Sequence, residues 1–466
     1  MGFKHLLVGA SSLVLLAAAQ EAAYAQCGGT NWPASKTTCV SGYVCSYGNP
    51  FYSQCLPGSA TPSSSKAAST VPPTGSSTKP PPTSTTVPAG SSSTTVSAAP
   101  GTTVAPVAGN PFSGVALYAN PYYASEILTL AVPSLTGAMA VKASAVAKVP
   151  TFVWLDTASK VPLMATFLAN IRAANKAGAS PPVAGTFVVY DLPDRDCAAL
   201  ASNGEYSIAN GGVANYYKYI DSIKALLVTY SDVKVILVIE PDSLANMVTN
   251  MNVPKCANAA AAYKQCTQYA IEQLNLPNVS MYLDAGHGGW LGWEANIGPA
   301  AKLYADLYKA AGKPAAVRGL VTNVANYNAW SIATCPSYTQ GDANCDEKRY
   351  INALAPLLTA AGFPAHFIVD VSRNGVQPTA QLAWGDWCNL KGTGFGVRPT
   401  TNTGDVLADA FVWVKPGGEG DGTSDTTSVR YDAHCGLADA LTPAPEAGTW
   451  FQAYFAQLLA NANPSF

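Results

Sequence analysis

YDLPDRDCAAL (Tyr190–Leu200) and VIEPDSLAN (Val238–Asn246) each continue an apolar, β-branched run and end it abruptly in carboxylates. A βα enzyme sets acids at the mouth of its sheet in this way, and Asp196 and Asp242 are the acids singled out here. Comparable runs occur at Phe152–Leu155, Thr186–Asp191, Val233–Pro241, Val279–Asp284, Gly319–Asn323, His366–Val371 and Phe411–Lys415. Between most of them the apolar residues repeat at helical spacing, as in Tyr216–Tyr230, Cys256–Asn275, Pro299–Ala311 and Asp346–Ala361. Strict alternation implies a parallel sheet, and this many units predict a closed or nearly closed βα barrel, with a doubly wound open sheet as the alternative. No Gly-x-Gly-x-x-Gly turn follows any of these strands, so nothing favours a dinucleotide.

Nearly every predicted strand ends in polar or aromatic groups: Trp154 and Asp156, Asp191 to Asp196, Glu240 and Asp242, Asp284 and His287, Asn323, Asp370 and Arg373, Lys415 and Glu419. The carboxyl ends of barrel strands converge on one face, so these groups form one acid–base site. A single such Asp is as often a helix cap or an ion-pair partner, but the whole set is not explained that way. Only four His occur, at 5, 287, 366 and 434, none at zincin spacing, which argues against zinc, and no Gly-x-Ser-x-Gly elbow marks a serine hydrolase. Paired carboxylates with Trp and Tyr remain, the equipment of a glycosidase that needs neither metal nor cofactor.

The chain of 466 residues carries 48% hydrophobic residues, enough for one large domain with accessories. Charged residues make up only 12% and nearly cancel at net −2, so there is no basic footprint for nucleic acid or anionic lipid. With 9 Trp and 23 Tyr the composition suits stacking on the apolar faces of neutral sugars. Lys4 and the apolar run Leu6–Ala19 have the form of a secretory signal peptide and are too short to span a bilayer. Cleavage after Ala19 is preferred over Ala25, because the later cut would remove Tyr24. A secreted, extracellular, monomeric protein is expected, in which most of the 11 Cys form disulfides.

Cys27, Cys39, Cys45 and Cys55 lie in a segment too small to hold a core unaided; two bridges must staple it, and spacing alone leaves three pairings open. YAQCGGTNWPASKTTCVSGYVCSYGNPFYSQCLPG resembles a family 1 carbohydrate-binding module of fungal type, a small disulfide-rich β module placed at residues 24–58. The resemblance implies the pairing Cys27–Cys45 and Cys39–Cys55, with Tyr24, Phe51 and Tyr52 lying on crystalline cellulose and Asn49 and Gln54 assisting. Phe51 stands where Tyr or Trp is usual, keeping the ring and losing a hydroxyl. Residues 59–109 are rich in Ser, Thr, Pro, Gly and Ala and nearly uncharged, the composition of a linker.

From 110 to 466 the strings YDLPDRDCAALASNGE, ILVIEPDSLAN, YLDAGHGGWLGW, WGDWCN and FVWVKPGGEGDGTSD resemble glycoside hydrolase family 6, of the fungal cellobiohydrolase II type. The implied fold is a distorted, seven-stranded βα (TIM-like) barrel. By the same resemblance Asp242 is the general acid, and Asp196 holds it protonated and steadies the positive sugar. Arg195 beside Asp196 is expected to favour ionisation of the latter. Tyr190 would press on the distorted ring, Ser202 would help hold the attacking water, and Asp421 matches the carboxylate proposed as base. Trp154, Trp290, Trp293 and Trp387 match glucose-stacking platforms, and Lys415 with Glu419 a sugar-binding pair. Cys197–Cys256 and Cys388–Cys435 are the implied bridges; Cys335 and Cys345 flank a polar loop that a third could close, and Cys266 reads as a buried thiol.

The expectation is a secreted enzyme that cuts β-1,4-glucosidic bonds of cellulose with inversion and releases cellobiose from non-reducing ends. Its partners are cellulose and cello-oligosaccharides. The stretch Lys415–Cys435 is long enough to roof a tunnel, which favours exo action over an open-cleft endoglucanase. A catalytically silent cellulose-binding protein is the alternative of another class. Asn278-Val-Ser is an N-glycosylation sequon.

Overall fold

The computed structural model describes residue 20, residues 26–28, 37–41, 43–49 and 52–57, and residues 109–466. They fall into two units. The signal-peptide and linker readings, and the stacking residues Tyr24 and Phe51, lie outside the described residues.

The small unit is an antiparallel sheet in the order β1 (Gln26–Gly28), β3 (Tyr52–Pro57), β2 (Tyr43–Asn49). Cys45 faces Cys55 across the β2–β3 ladder, and Asn49 faces Tyr52 at its end. Bridges join Cys27 to Cys45 and Cys39 to Cys55. Cys27, Cys39 and Cys55 are its buried core; their sulfurs lie within 4.8 Å of one another, but all are disulfide sulfurs and offer no thiolate to a metal.

In the large unit every ladder is parallel. Strands β5 (Val153–Leu155), β6 (Val183–Val189), β7 (Val235–Ile239), β8 (Val279–Asp284), β9 (Val317–Thr322), β10 (Phe367–Asp370) and β11 (Ala408–Val412) follow one another across the sheet, and β4 (Ala116–Leu117) extends the β6 edge. These runs are continuously apolar because both faces are covered. Val188, Ile236, Val238, Tyr282, Val321, Ile368 and Val412 fill the inside of the curl. Their neighbours Phe187, Leu237, Leu283, Leu320 and Phe367 face the helices, including Val161–Lys176, Gly212–Thr229 and Pro254–Gln273.

Seven strands curl into a barrel that does not close. Among the described residues no ladder joins β5 to β11; Phe152 N donates to Trp413 O at 3.0 Å and the Trp154 indole to Val414 O at 2.9 Å. The segment Pro121–Glu126 and the helices Gly137–Val146 and Gln452–Ala460 pack a second core over that side, around Trp413, Tyr454 and Phe455. Two details differ from the sequence reading. Strand β4 is only two residues long, below what a periodic pattern can mark. The helix expected to open at Pro299 begins at Glu294 and carries Pro299 inside it, its start marked instead by an acidic first turn.

The Asn278 sequon is folded away. Its amide is 4% exposed and donates to the carbonyls of Leu227, Tyr230 and Val233 at 3.1–3.3 Å, so the folded chain presents no free acceptor there.

Candidate active site

At the carboxyl ends of β6, β7 and β9 the chain turns through the left-handed region, at Asp196 (φ 58°), Glu240 (51°), Asp242 (62°) and Asn323 (62°). Non-glycine residues avoid this conformation, and clusters of it mark places where the surroundings impose a geometry. Glu240 shows how it is imposed: buried at 1% exposure, it accepts Asp191 N, Leu192 N and the Tyr216 hydroxyl at 3.2, 3.4 and 2.8 Å, fixing the turn between β6 and the Asp196 loop.

Asp242 opens the helix Ser243–Thr249 and retains partial exposure. Its backbone N–H donates to Asp284 Oδ2 at 3.0 Å, and Gly286 N reaches the same oxygen at 3.2 Å. Burial first, then the charges of Asp284, Asp196 and Asp421, push the Asp242 carboxyl well above the usual carboxylate range. It therefore stays a proton donor at pH values where an ordinary Asp has lost its proton. Asp284 is itself lifted by burial to about 7.

Asp196 is treated differently. Burial leaves its carboxyl above the ordinary range, but Ser202 N donates to Oδ2 at 2.6 Å and the Lys255 ammonium lies nearby, both favouring the charged form and limiting the rise. Lys255 Nζ donates to the carbonyls of Arg195 and Asp196, each at 3.0 Å, and to Asn203 Oδ1. Cys256, next in sequence, is bonded to Cys197, so one helix start grips the Asp196 turn by a disulfide and by hydrogen bonds to its carbonyls.

The expected effect of Arg195 holds in direction, since its charge favours ionised Asp196, but it is not the stronger cation. Its guanidinium turns away from Asp196, donating to Asp191 Oδ1 at 3.1 Å, to the carbonyls of Asp156, Tyr190 and Ser202, and lying 4.3 Å over the Tyr190 ring. The cation that acts on Asp196 more strongly is Lys255, which its place beside Cys256 could have signalled. Asn323 is also not a sugar contact: it is fully buried, donates to Asp370 O and Asn328 O, and accepts from Asn328 N. Asp284, at 2% exposure, serves Asp242 instead of the cleft.

Asp421 is clamped. Arg373 Nη1 spans both its oxygens at 2.8 and 2.7 Å, and Oδ2 also accepts the Tyr327 hydroxyl and Asn389 N, both at 2.8 Å. Oδ1 is the less occupied oxygen, 3.9 Å from Lys415 Nζ. The bridge Cys388–Cys435 pins this loop, and Asp432 Oδ2 accepts Leu200 N at 3.1 Å, tying it to the Asp196 loop. Cys335–Cys345 is bonded as well, and Cys266 is free and buried.

Around these acids Trp154, Trp290, Trp293 and Trp387 are all half-buried, whereas Trp384 and Trp413 are interior. Tyr190 stands edge-on to Trp154 at 5.3 Å. Asp156 pairs with Lys160 at 2.6 Å, which holds its carboxyl low against the opposing effect of burial. Glu419 is raised by burial against the pull of Lys415 and Lys160, and Lys415 Nζ donates to Gly420 O at 3.1 Å.

A protonated acid among carboxylates, ringed by aromatic faces on a curled parallel sheet, is the site of a glycoside hydrolase. The model of the glycosyl hydrolases family 6 matches residues 112–462, and the chain belongs to that family. The fungal cellulose binding domain model matches residues 23–52. A probable 1,4-beta-D-glucan cellobiohydrolase C of Aspergillus fumigatus is 71% identical over 465 residues, 99% of this chain and 100% of that protein. Among solved structures, the catalytic core domain of the cellobiohydrolase Cel6A from Chaetomium thermophilum is 70% identical with a TM-score of 0.76, covering 76% of this chain and 99% of that one. Cellobiohydrolase II (Cel6A) from Humicola insolens, in complex with glucose and cellotetraose, is 65% identical with a TM-score of 0.76, covering 77% and 100%.

Proposed function

We propose that this chain is a secreted cellobiohydrolase that hydrolyses β-1,4-glucosidic bonds of cellulose with inversion, releasing cellobiose from non-reducing ends. The observation that carries this is Asp242, a carboxyl held protonated by burial and by three neighbouring acids at the mouth of the sheet. Asp242 gives its proton to the leaving glycosidic oxygen. Asp196, steadied by Ser202 N and Lys255, supplies negative charge to the oxocarbenium-like sugar and to the proton balance of Asp242. Tyr190 presses on the ring, and Ser202 helps hold a water on the opposite face. The water's proton passes to Asp421 through its less occupied Oδ1, or along a chain of waters, and no covalent intermediate forms. Trp154, Trp290, Trp293 and Trp387 stack successive glucose rings, and Lys415 and Glu419 hold the sugar next to the cut. The hydrogen bond between the two loops that carry Asp196 and Asp421 favours a roofed path and hence exo action.

The stereochemistry tests the mechanism. A retaining enzyme needs a nucleophilic carboxyl about 5–5.5 Å from the acid, an inverting one roughly 6.5–9.5 Å between acid and base for the water. Proton NMR within the first moments of hydrolysis, before mutarotation, should show α-cellobiose; an initial excess of the β-anomer overturns the roles given to Asp196 and Asp421.

Residues 24–58 form the cellulose-binding module, 59–109 the linker and 110–466 the catalytic domain. The module raises local concentration on the solid without touching the chemistry. Deleting Gln26 to Gly109 is expected to leave turnover of soluble cello-oligosaccharides unchanged and to weaken adsorption to crystalline cellulose. Equal adsorption by the two forms in a pull-down would contradict the modular arrangement.

A further inference from the structure

His287 lies at the foot of the Trp290 platform, with ring centroids 6.3 Å apart. An imidazole there can either donate to or accept from a sugar hydroxyl, and the ring alone does not say which nitrogen carries the proton. The residues beneath it do. Trp384 Nε1 has a hydrogen and no lone pair to offer, and it lies 2.7 Å from the side-chain oxygen of Asn328. That contact fixes the amide orientation, because the flipped amide would set two donors against each other. The Asn328 amide nitrogen then has Glu347 Oε1 at 2.8 Å and His287 Nδ1 at 3.2 Å, one acceptor for each hydrogen. Flipping it would also place an oxygen against the Glu347 carboxyl. Glu347 is fully buried and is held in turn by Gly288 N at 2.9 Å, so the loop carrying His287 and the amide beneath it share one anchor.

We infer that Asn328, oriented by Trp384 and Glu347, is a positioning residue that locks His287 as the neutral Nε2–H tautomer, making it a donor-only contact for a sugar oxygen. Nδ1 accepts from Asn328. Nε2 has no hydrogen-bond partner among the described residues, and the ring keeps 8% exposure. Burial pushes the imidazole down to about 4, which agrees with a neutral ring. The inference rests on the proposed glycosidase reading for the identity of the ligand, but not for the tautomer.

The test is two-bond proton–nitrogen correlation NMR on the full chain labelled with nitrogen-15 at histidine, with His366→Gln and His434→Gln variants used for assignment. The expected His287 pattern at neutral pH is an unprotonated Nδ1 and a protonated Nε2. An Nδ1–H tautomer or an imidazolium overturns the inference, and does so whether or not the enzyme hydrolyses cellulose. In Asn328→Asp an acceptor faces Nδ1, and the proton is expected to move to that nitrogen. KM for cello-oligosaccharides should then rise about tenfold or more, the effect of losing a charge-free donor from a buried polar contact. Trp384→Phe, which frees the amide to flip without adding charge, should show a mixture of tautomers and a smaller rise. A wild-type NMR pattern retained in both variants also overturns it. Failure of the glycosidase reading would appear separately, as a parent enzyme that does not hydrolyse cello-oligosaccharides.

Discussion

Asp242→Asn is expected to remove nearly all hydrolysis while leaving oligosaccharide binding close to that of the parent enzyme. The amide keeps the shape and the left-handed turn, since Asn tolerates φ near 62° about as well as Asp. What it loses is a proton of suitable acidity, and general acid catalysis is worth about 10²–10⁴-fold. The direction of the pH dependence follows from the raised Asp242 carboxyl. The active form is the protonated one, so kcat/KM should hold at pH values where an ordinary Asp is already ionised and fall as pH rises through the Asp242 pKa. In Asp242→Asn that alkaline limb should vanish from any residual activity. Steady-state kinetics on a soluble cello-oligosaccharide, with binding measured by calorimetry, decides it: turnover near the parent rate would remove Asp242 from the mechanism.

Arg373→Met is expected to destabilise the large unit more than any other single change at the site. Arg373 is fully buried, its guanidinium spans both Asp421 oxygens, and it lies 4.5 Å over the Tyr327 ring. Methionine fills similar volume but leaves a buried carboxylate without its cation, a loss of about 3–5 kcal/mol. Asp421→Asn in the same background should recover part of it, because the uncompensated charge is then gone. Equilibrium unfolding in urea measures both; a loss under about 1 kcal/mol for the single variant would mean that the Asp421 clamp is not the support described here.

Sheet and acids were legible in the sequence for the same reason. Strands β6 to β10 are covered on both faces, so they appear as uninterrupted apolar runs, and the abrupt change to carboxylates marks where the sheet ends. Asp196 and Asp242 were visible on that ground alone. What the pattern could not show is direction. Arg195 is adjacent to Asp196 in sequence, but a left-handed turn at Asp196 sends the guanidinium toward Asp191 and brings Lys255 in from a distant helix. Asn323 and Asp284 end strands as sugar-binding residues do, yet both are buried and hydrogen-bonded to the protein. Exposure is set by loops from elsewhere in the chain, and no local motif encodes it. Asn328, Tyr327 and Asn389 carried no signal at all, being ordinary loop residues until the fold places them under Trp384, Asp421 and His287.

The left-handed residues at the strand ends carry a lesson for anyone selecting heat-resistant variants. Asp196 and Asp242 each occupy backbone that glycine would occupy with less strain, and strain of this kind costs on the order of 1–3 kcal/mol per residue. A screen that rewards folding alone therefore has a downhill route at the positions on which hydrolysis depends. Libraries enriched only by survival of heating should drift toward glycine there and yield durable proteins that no longer cut, whereas alternating rounds with a hydrolysis readout would keep these two sites fixed and push improvement into the outer helices.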